Sequence, residues 1–230
     1  MQLHKIKEAF ARYEAWLGTP KAEERLFLWE SQRLFQENWD LDSEDLAGMY
    51  DRSLQNSTTR RYWFRENYEP KKVMLALMGV DREFVRSMFK DLFLESKGLT
   101  GRADRFVFHC DQLLSEFKRQ NPRSVENNHY HNDNYQIISL YLAFRYPDQY
   151  TFYDHEAFKR LMVAVGSRDI PVTPDIERFS KVMRTLYGLM KKEERLMELH
   201  RKRLVSGRDY EGESLLVAYD FYHTTGHFFT

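Results

Sequence analysis

"TPDIERFSKVMRTLYGLMKKEERLMELHRKRL" (173–204) decides the fold class. From Ile176, the positions Phe179, Met183, Leu186, Met190, Glu193, Met197, His200 and Leu204 follow at alternating steps of three and four. Residues so spaced stack along one side of an α-helix. Thr173–Pro174 supplies a helix start, since proline's fixed φ suits the first turn. Two polar residues interrupt the apolar seam, Glu193 and His200. They predict one long helix, well packed in its first half and more exposed later.

The same period runs outward in both directions. Near the N-terminus Ile6, Phe10, Tyr13 and Leu17 share a face, and Gly18 ends the helix. "GTPKAEERLFLWESQRLFQENWD" (18–40) restarts at once, with Thr19 as cap, Pro20 at the first position and Glu23–Glu24 favouring the dipole. "SEDLAGMYDRSLQ" (43–55) reads as a short helix capped by Ser43. Two helical stretches follow, separated at Gly79–Asp81 and stopped at Gly98, and then "TGRADRFVFHCDQLLSEFKRQNP" (100–122), ended by Asn121–Pro122. "YQIISLYLAFRYP" (135–147) is apolar nearly all round and belongs at the centre of a core. The expectation is a mainly α, irregular multi-helix domain with at most one short β element near 149–153, inside "DQYTFYDHEAF" (148–158). It reads as a single domain over 1–230, with a subdivision into 1–125 and 126–230 as the alternative. The last helix, in "GESLLVAYDFYHTTGHFFT" (212–230), stops mid-pattern on apolar residues and reads as the cut edge of a longer chain, with an intact small protein as the alternative.

Bulk composition narrows the function. Hydrophobic residues make up 42% and aromatics 15% of the 230 residues, enough apolar surface to offset the entropy of ordering a core. Lys+Arg and Asp+Glu balance at 35 each, which excludes a protein that coats nucleic acid by net charge but not a local basic face. One cysteine, Cys110, cannot form an internal disulfide, so a reducing, cytoplasmic setting is expected. No signal peptide or membrane-spanning run is apparent, and no membrane partner is expected.

Six stretches carry candidate chemistry. "DRSLQNSTTRRYWFRENYEPKK" (51–72) sets Arg60, Arg61, Arg65, Lys71 and Lys72 among Tyr62 and Trp63. Guanidinium forks grip phosphates and flat rings stack on unpaired bases, so these seven residues are the nucleic-acid candidates. The competing reading turns the rings inward and pairs the cations with Asp51, Glu66 and Glu69. "RKRLVSGR" (201–208) is a weaker basic run, because cations also suit a helix C-terminus. In "NNHYHNDN" (127–134) an extended loop would point His129 and His131 the same way, towards a metal with Asp133. Glu126, His109 or His155 would have to complete the set. A capping box from Asp133 to Gln136 explains the stretch more economically. A contact turn built of Asn128, His129, His131 and Asn132 comes second and a metal last. Glu-x-Lys nuclease patterns at Glu95–Lys97 and Glu116–Lys118 fall on expected helices, where such pairs diverge by about 200°. Cys110 within "RFVFHCDQLL" (105–114) reads as a core thiol, and no phosphate-binding glycine loop occurs.

"ENWDLDSEDLAGMYDRSLQNSTTRRYW" (37–63) and "NNHYHNDNYQIISLYLAFRYPDQYTFYDHEAFKRLM" (127–162) resemble the region ahead of the motor in bacterial AAA+ proteins of the McrB type, the nucleotide-hydrolysing subunits of modification-dependent restriction systems. "SLYLAFRYPDQYTFYD" (139–154) is the most specific piece. The resemblance implies a targeting domain that reads DNA, often modified, while a downstream GTP- or ATP-hydrolysing ring self-assembles and a nuclease subunit cuts. It carries no catalytic residues, so this chain is expected to be non-catalytic and to need no cofactor. The motor is absent here, and the best-known targeting domains of the family are α/β or β-rich, unlike this helical sequence. A helical assembly module, motivated by the 176–204 seam, and a metal-dependent hydrolase centred on His129 and His131 are the alternatives.

Overall fold

A computed structural model describes residues 1–57 and 69–228, with side chains up to 226. The chain is mainly α. Among the described residues there are eleven α-helices and no strand: α1 (Leu3–Leu17), α2 (Phe27–Asn38), α3 (Leu46–Ser53), α4 (Pro70–Val80), α5 (Arg82–Leu92), α6 (Leu99–Gln120), α7 (Gln136–Arg145), α8 (His155–Ala164), α9 (Ile176–Met190), α10 (Glu194–Arg203) and α11 (Leu216–Phe228). Among them none is long and apolar enough to cross a membrane. The contacts divide the chain into two compact units, Met1–Arg33 with Ser139–Thr230, and Leu34–Ile138. The division therefore falls at 33/34 and 138/139, not at 125/126, and the first unit is discontinuous in sequence.

In the discontinuous unit α11 packs on α8, α9 and α1, and α1 also meets α10. Leu216, Val217, Ala218, Phe221 and Tyr222 are all buried, so α11 is a core helix. It lies close to α8 at Gly226, where an added Cβ would be 3.1 Å from the Ala157 carbonyl oxygen. Phe221 packs edge-on against Phe10 and Tyr13, and Tyr222 against Phe179. At the centre lies Asp220, fully buried and ion-paired to Arg25 at 2.6 Å and Arg203 at 2.7 Å, with the Tyr13 hydroxyl donating to it at 2.7 Å.

Three sequence expectations change here for physical reasons. The long 176–204 helix is two helices, because the chain turns at Lys191–Glu193 and Glu193 becomes the N-cap position of α10. That turn brings Leu196, Met197 and His200 into the core, so the second half of the seam is buried as well. The helix expected over 18–40 is a single 3-10 turn at Pro20–Glu23 followed by α2. Thr19 caps nothing; its hydroxyl donates to the Trp16 carbonyl. The break leaves Arg25 placed to reach Asp220 and the Thr224 hydroxyl. Residues 150–154 form no ladder. From Phe152 to Asp154 the backbone bonds to side chains instead: Tyr153 N–H donates to Ser139 Oγ, Asp154 N–H to the Tyr222 hydroxyl, and that hydroxyl donates to the Phe152 carbonyl.

In the continuous unit α4 packs against α3, α5 and α6, and α5 against α6. Phe35, Trp39, Tyr50, Phe89, Phe93 and Phe106 form a connected ring cluster, with Trp39 edge-on to Phe89 at 5.1 Å and Phe89 to Phe106 at 5.0 Å. The cap of α3 is Asp45, accepting from Gly48 N–H, in place of Ser43. Asp81 ends α4 and caps α5 by accepting from Phe84 N–H. Helix α5 stops at Leu92, short of Gly98, which instead precedes α6. Arg102, 2% exposed, reaches back to the Leu92 carbonyl at 2.7 Å and pairs with Glu95 at 2.6 Å, satisfying an orphan carbonyl of the α5 terminus.

Candidate metal centre

Helix α6 presents an apolar stripe of Ala103, Phe106, Cys110, Leu113 and Leu114 to the interior. The helix period places Cys110 one turn beyond Phe106, so its thiol enters the same buried layer. The turn that precedes α7 closes over this layer. Its conformation is not extended: Tyr130 has φ 63°, and Asn134 and Tyr135 have φ 57° and 69°. Left-handed residues curl the backbone, and Asn128 stabilises the curl by accepting Tyr130 N–H at 2.7 Å. As a result both histidines turn inward, His129 1% and His131 0% exposed, and their rings lie 5.7 Å apart. Cys110, His129 and His131 each bring one ligand atom to within 4.8 Å of the others.

Hydrogen bonds fix the state of each ring. His131 Nδ1 lies 2.5 Å from the His129 carbonyl, which only accepts, so Nδ1 carries the proton and the lone pair is on Nε2. His129 Nδ1 accepts the His131 amide at 3.0 Å, so its proton is on Nε2, facing Asp111 Oδ1 at 3.0 Å. Both imidazoles are therefore neutral. Burial, and then the neighbouring His129, push His131 down to about 3. Burial, and then the Asp111 charge, push the Cys110 thiol up, so without a cation it stays protonated. Phe106 walls the site, 5.8 Å from the His131 ring. Asp111 itself is 61% exposed.

The ligands expected from sequence to complete a metal set are elsewhere. Glu126 pairs with Lys72 at 3.5 Å, His109 bonds to Gln112, and His155 belongs to the other unit, where Tyr153 bonds it. Cys110, read from sequence as an inert core thiol, takes the third place. It could not be found locally, because it lies on a different element from the histidines and only folding brings them together. Asp133 does act at the head of α7, accepting Ile137 N–H at 3.4 Å. Gln136 is however the first helical residue and not the third, so the arrangement is not a capping box. Of the contact-turn residues, Asn132 is exposed and Asn128 half-buried, while the histidine rings are sealed from the surface.

The nucleic-acid candidates divide differently. Arg60, Arg61, Tyr62, Trp63 and Arg65 lie outside the described residues. Lys71 pairs with the Asp51 carboxylate at 2.7 Å and donates to the Asp51 and Leu54 carbonyls, tying the start of α4 to the end of α3. Lys72, 61% exposed, pairs with Glu69 and Glu126. In the second basic run Arg203 is taken up by Asp220 and Arg208 by Asp209. Glu95 and Lys97 lie on the turn after α5, not on a helix, and each is already held in an ion pair, with Arg102 and Asp91 respectively. A surface hollow of about 500 Å³ is lined by Asp42, Glu44, Arg82, Glu83 and Arg86; Arg82 and Arg86 pair with Glu83 and with the nearby backbone, and Asp42 pairs with Lys90. No protein-family model, curated protein or solved structure matches the chain.

Proposed function

We propose that this chain is a cytoplasmic DNA-targeting domain of a McrB-like restriction NTPase, non-catalytic by itself, working with a motor and a nuclease subunit. The observation that carries the reading is the concentration of Arg60, Arg61 and Arg65 with Tyr62 and Trp63 in one short stretch, in a chain that resembles that family at 139–154. Two features of the described residues support it. Lys71 clamps the end of α3 to the start of α4, so the chain between them leaves and returns at fixed points. Lys72 is exposed enough to exchange Glu69 for a phosphate. Arginines carry most of the affinity, because Lys71 is committed to α3. The assembly alternative is less favoured, since the 176–204 seam is buried within its own unit.

Fluorescence anisotropy with plain, methylated and single-stranded DNA at low salt provides the test. Binding that falls steeply with added salt, and is lost when Arg60, Arg61 and Arg65 are changed together to Glu, is the expected result. If no DNA binds at low salt, the proposal fails.

A further inference from the structure

We infer that Cys110, His129 and His131 form a binding site for one zinc-class divalent cation, clipping α6 to the turn that precedes α7. Three arguments converge. The donor set of one sulfur and two imidazole nitrogens suits a borderline-soft ion such as zinc, and not magnesium or calcium, which take oxygen ligands. The three ligand atoms are already gathered within 4.8 Å. Zinc bonds of about 2.0–2.3 Å at a tetrahedral angle place ligand atoms about 3.5 Å apart, so closure needs a movement of about 1 Å. Both rings are neutral, each with its lone pair on one nitrogen and its N–H directed at an acceptor: the His129 carbonyl for His131, and the Asp111 carboxylate for His129. An acceptor behind each ring is the outer shell that orients metal-bound histidines.

Binding has a defined chemical balance. The Cys110 S–H gives its proton to solvent as the sulfur–metal bond forms. His131 binds through Nε2. His129 gives up the His131 amide as the partner of Nδ1 and takes the cation there, while its Nε2–H stays on Asp111. Asp111 is a positioning residue, and water completes the fourth place. The role is structural: Phe106 walls the site, and Asp111, the carboxylate beside it, is taken up by the His129 N–H.

Cobalt is the probe, added to the full chain after treatment with a chelator and reduction of the thiol. One equivalent is expected to produce thiolate-to-cobalt charge-transfer absorption and tetrahedral d–d bands, and zinc should displace it and raise Tm. Cys110→Ser should abolish the charge-transfer band. Asp111→Ala removes an exposed carboxylate from the helix surface and keeps the falsifying power if Cys110→Ser fails to fold. It should retain the band and weaken zinc about 10–100-fold. The inference is overturned if folded wild-type protein shows neither band nor Tm shift with either metal in excess. It is equally overturned if Cys110→Ser binds as tightly as wild type, or if Asp111→Ala leaves zinc affinity unchanged.

Discussion

Lowering the pH from about 7 to about 5 probes the surroundings of His200 more directly than any truncation. Its ring is 6% exposed, packed 5.2 Å from the Trp29 ring. Arg203 donates to Nδ1 through Nη2 at 3.1 Å and Nε at 3.3 Å, so that nitrogen must carry a lone pair. Burial first, and the guanidinium second, hold the imidazole down to about 3 from its ordinary 6.5. In the unfolded chain His200 picks up a proton below its ordinary value, while in the fold it stays neutral. Stability is therefore complete above 6.5 and falls as the pH drops from there towards about 3. At about pH 5 the unfolded chain is favoured by some 1.5 units at 1.36 kcal/mol each, or about 2 kcal/mol. Urea denaturation followed by tryptophan fluorescence at the two pH values measures the loss. His200→Leu has its own constant cost, which cancels when the variant is compared with itself across pH. The variant should lose about 2 kcal/mol less than wild type between the two conditions. Equal losses in the two proteins would refute the assignment of a neutral, buried His200.

Two further outcomes follow from other contacts. Asp220→Asn leaves Arg203 and Arg25 facing a neutral group in a buried site and should cost about 3–5 kcal/mol in urea unfolding. Burial opposes ionisation of Asp220, but Arg203 and Arg25 outweigh it and hold the carboxyl below the usual range, so its contribution persists at neutral pH and is lost only in acid. Asp81→Ala removes the acceptor of Phe84 N–H at the start of α5 and should lower stability by about 1 kcal/mol, read from thermal unfolding.

The helices were legible because burial imposes a period on the sequence: Ile6, Phe10, Tyr13 and Leu17 identify the inner face of α1 without reference to any partner. Breaks within a continuing period were not. Nothing local at Lys191–Glu193 announces a turn, because what bends the chain is the gain from burying Leu196, Met197 and His200. Caps were legible as a class but misplaced by two residues at Ser43, since Asp45 offers the Gly48 amide a carboxylate. The candidate site was half visible. His129 and His131 drew notice as a pair, but an extended loop was the wrong geometry, and it is the left-handed Tyr130 that folds their rings inward. Cys110 remained hidden, as any ligand does whose partners lie on another element.

The discontinuous unit sets an order of events during synthesis. Tyr13 finds its acceptor only in Asp220, 207 residues further along the chain. At about 5–20 residues per second, the first helix emerges about 10–40 s before that partner exists. For most of this interval α1 has only the Pro20–Glu23 turn beside it, without α10 and α11, whereas Leu34–Ile138 is complete well before Asp220 is made. Nascent chains of this protein are therefore expected to carry a finished middle and an unfinished beginning, with α1 as the segment that a ribosome-associated chaperone would hold.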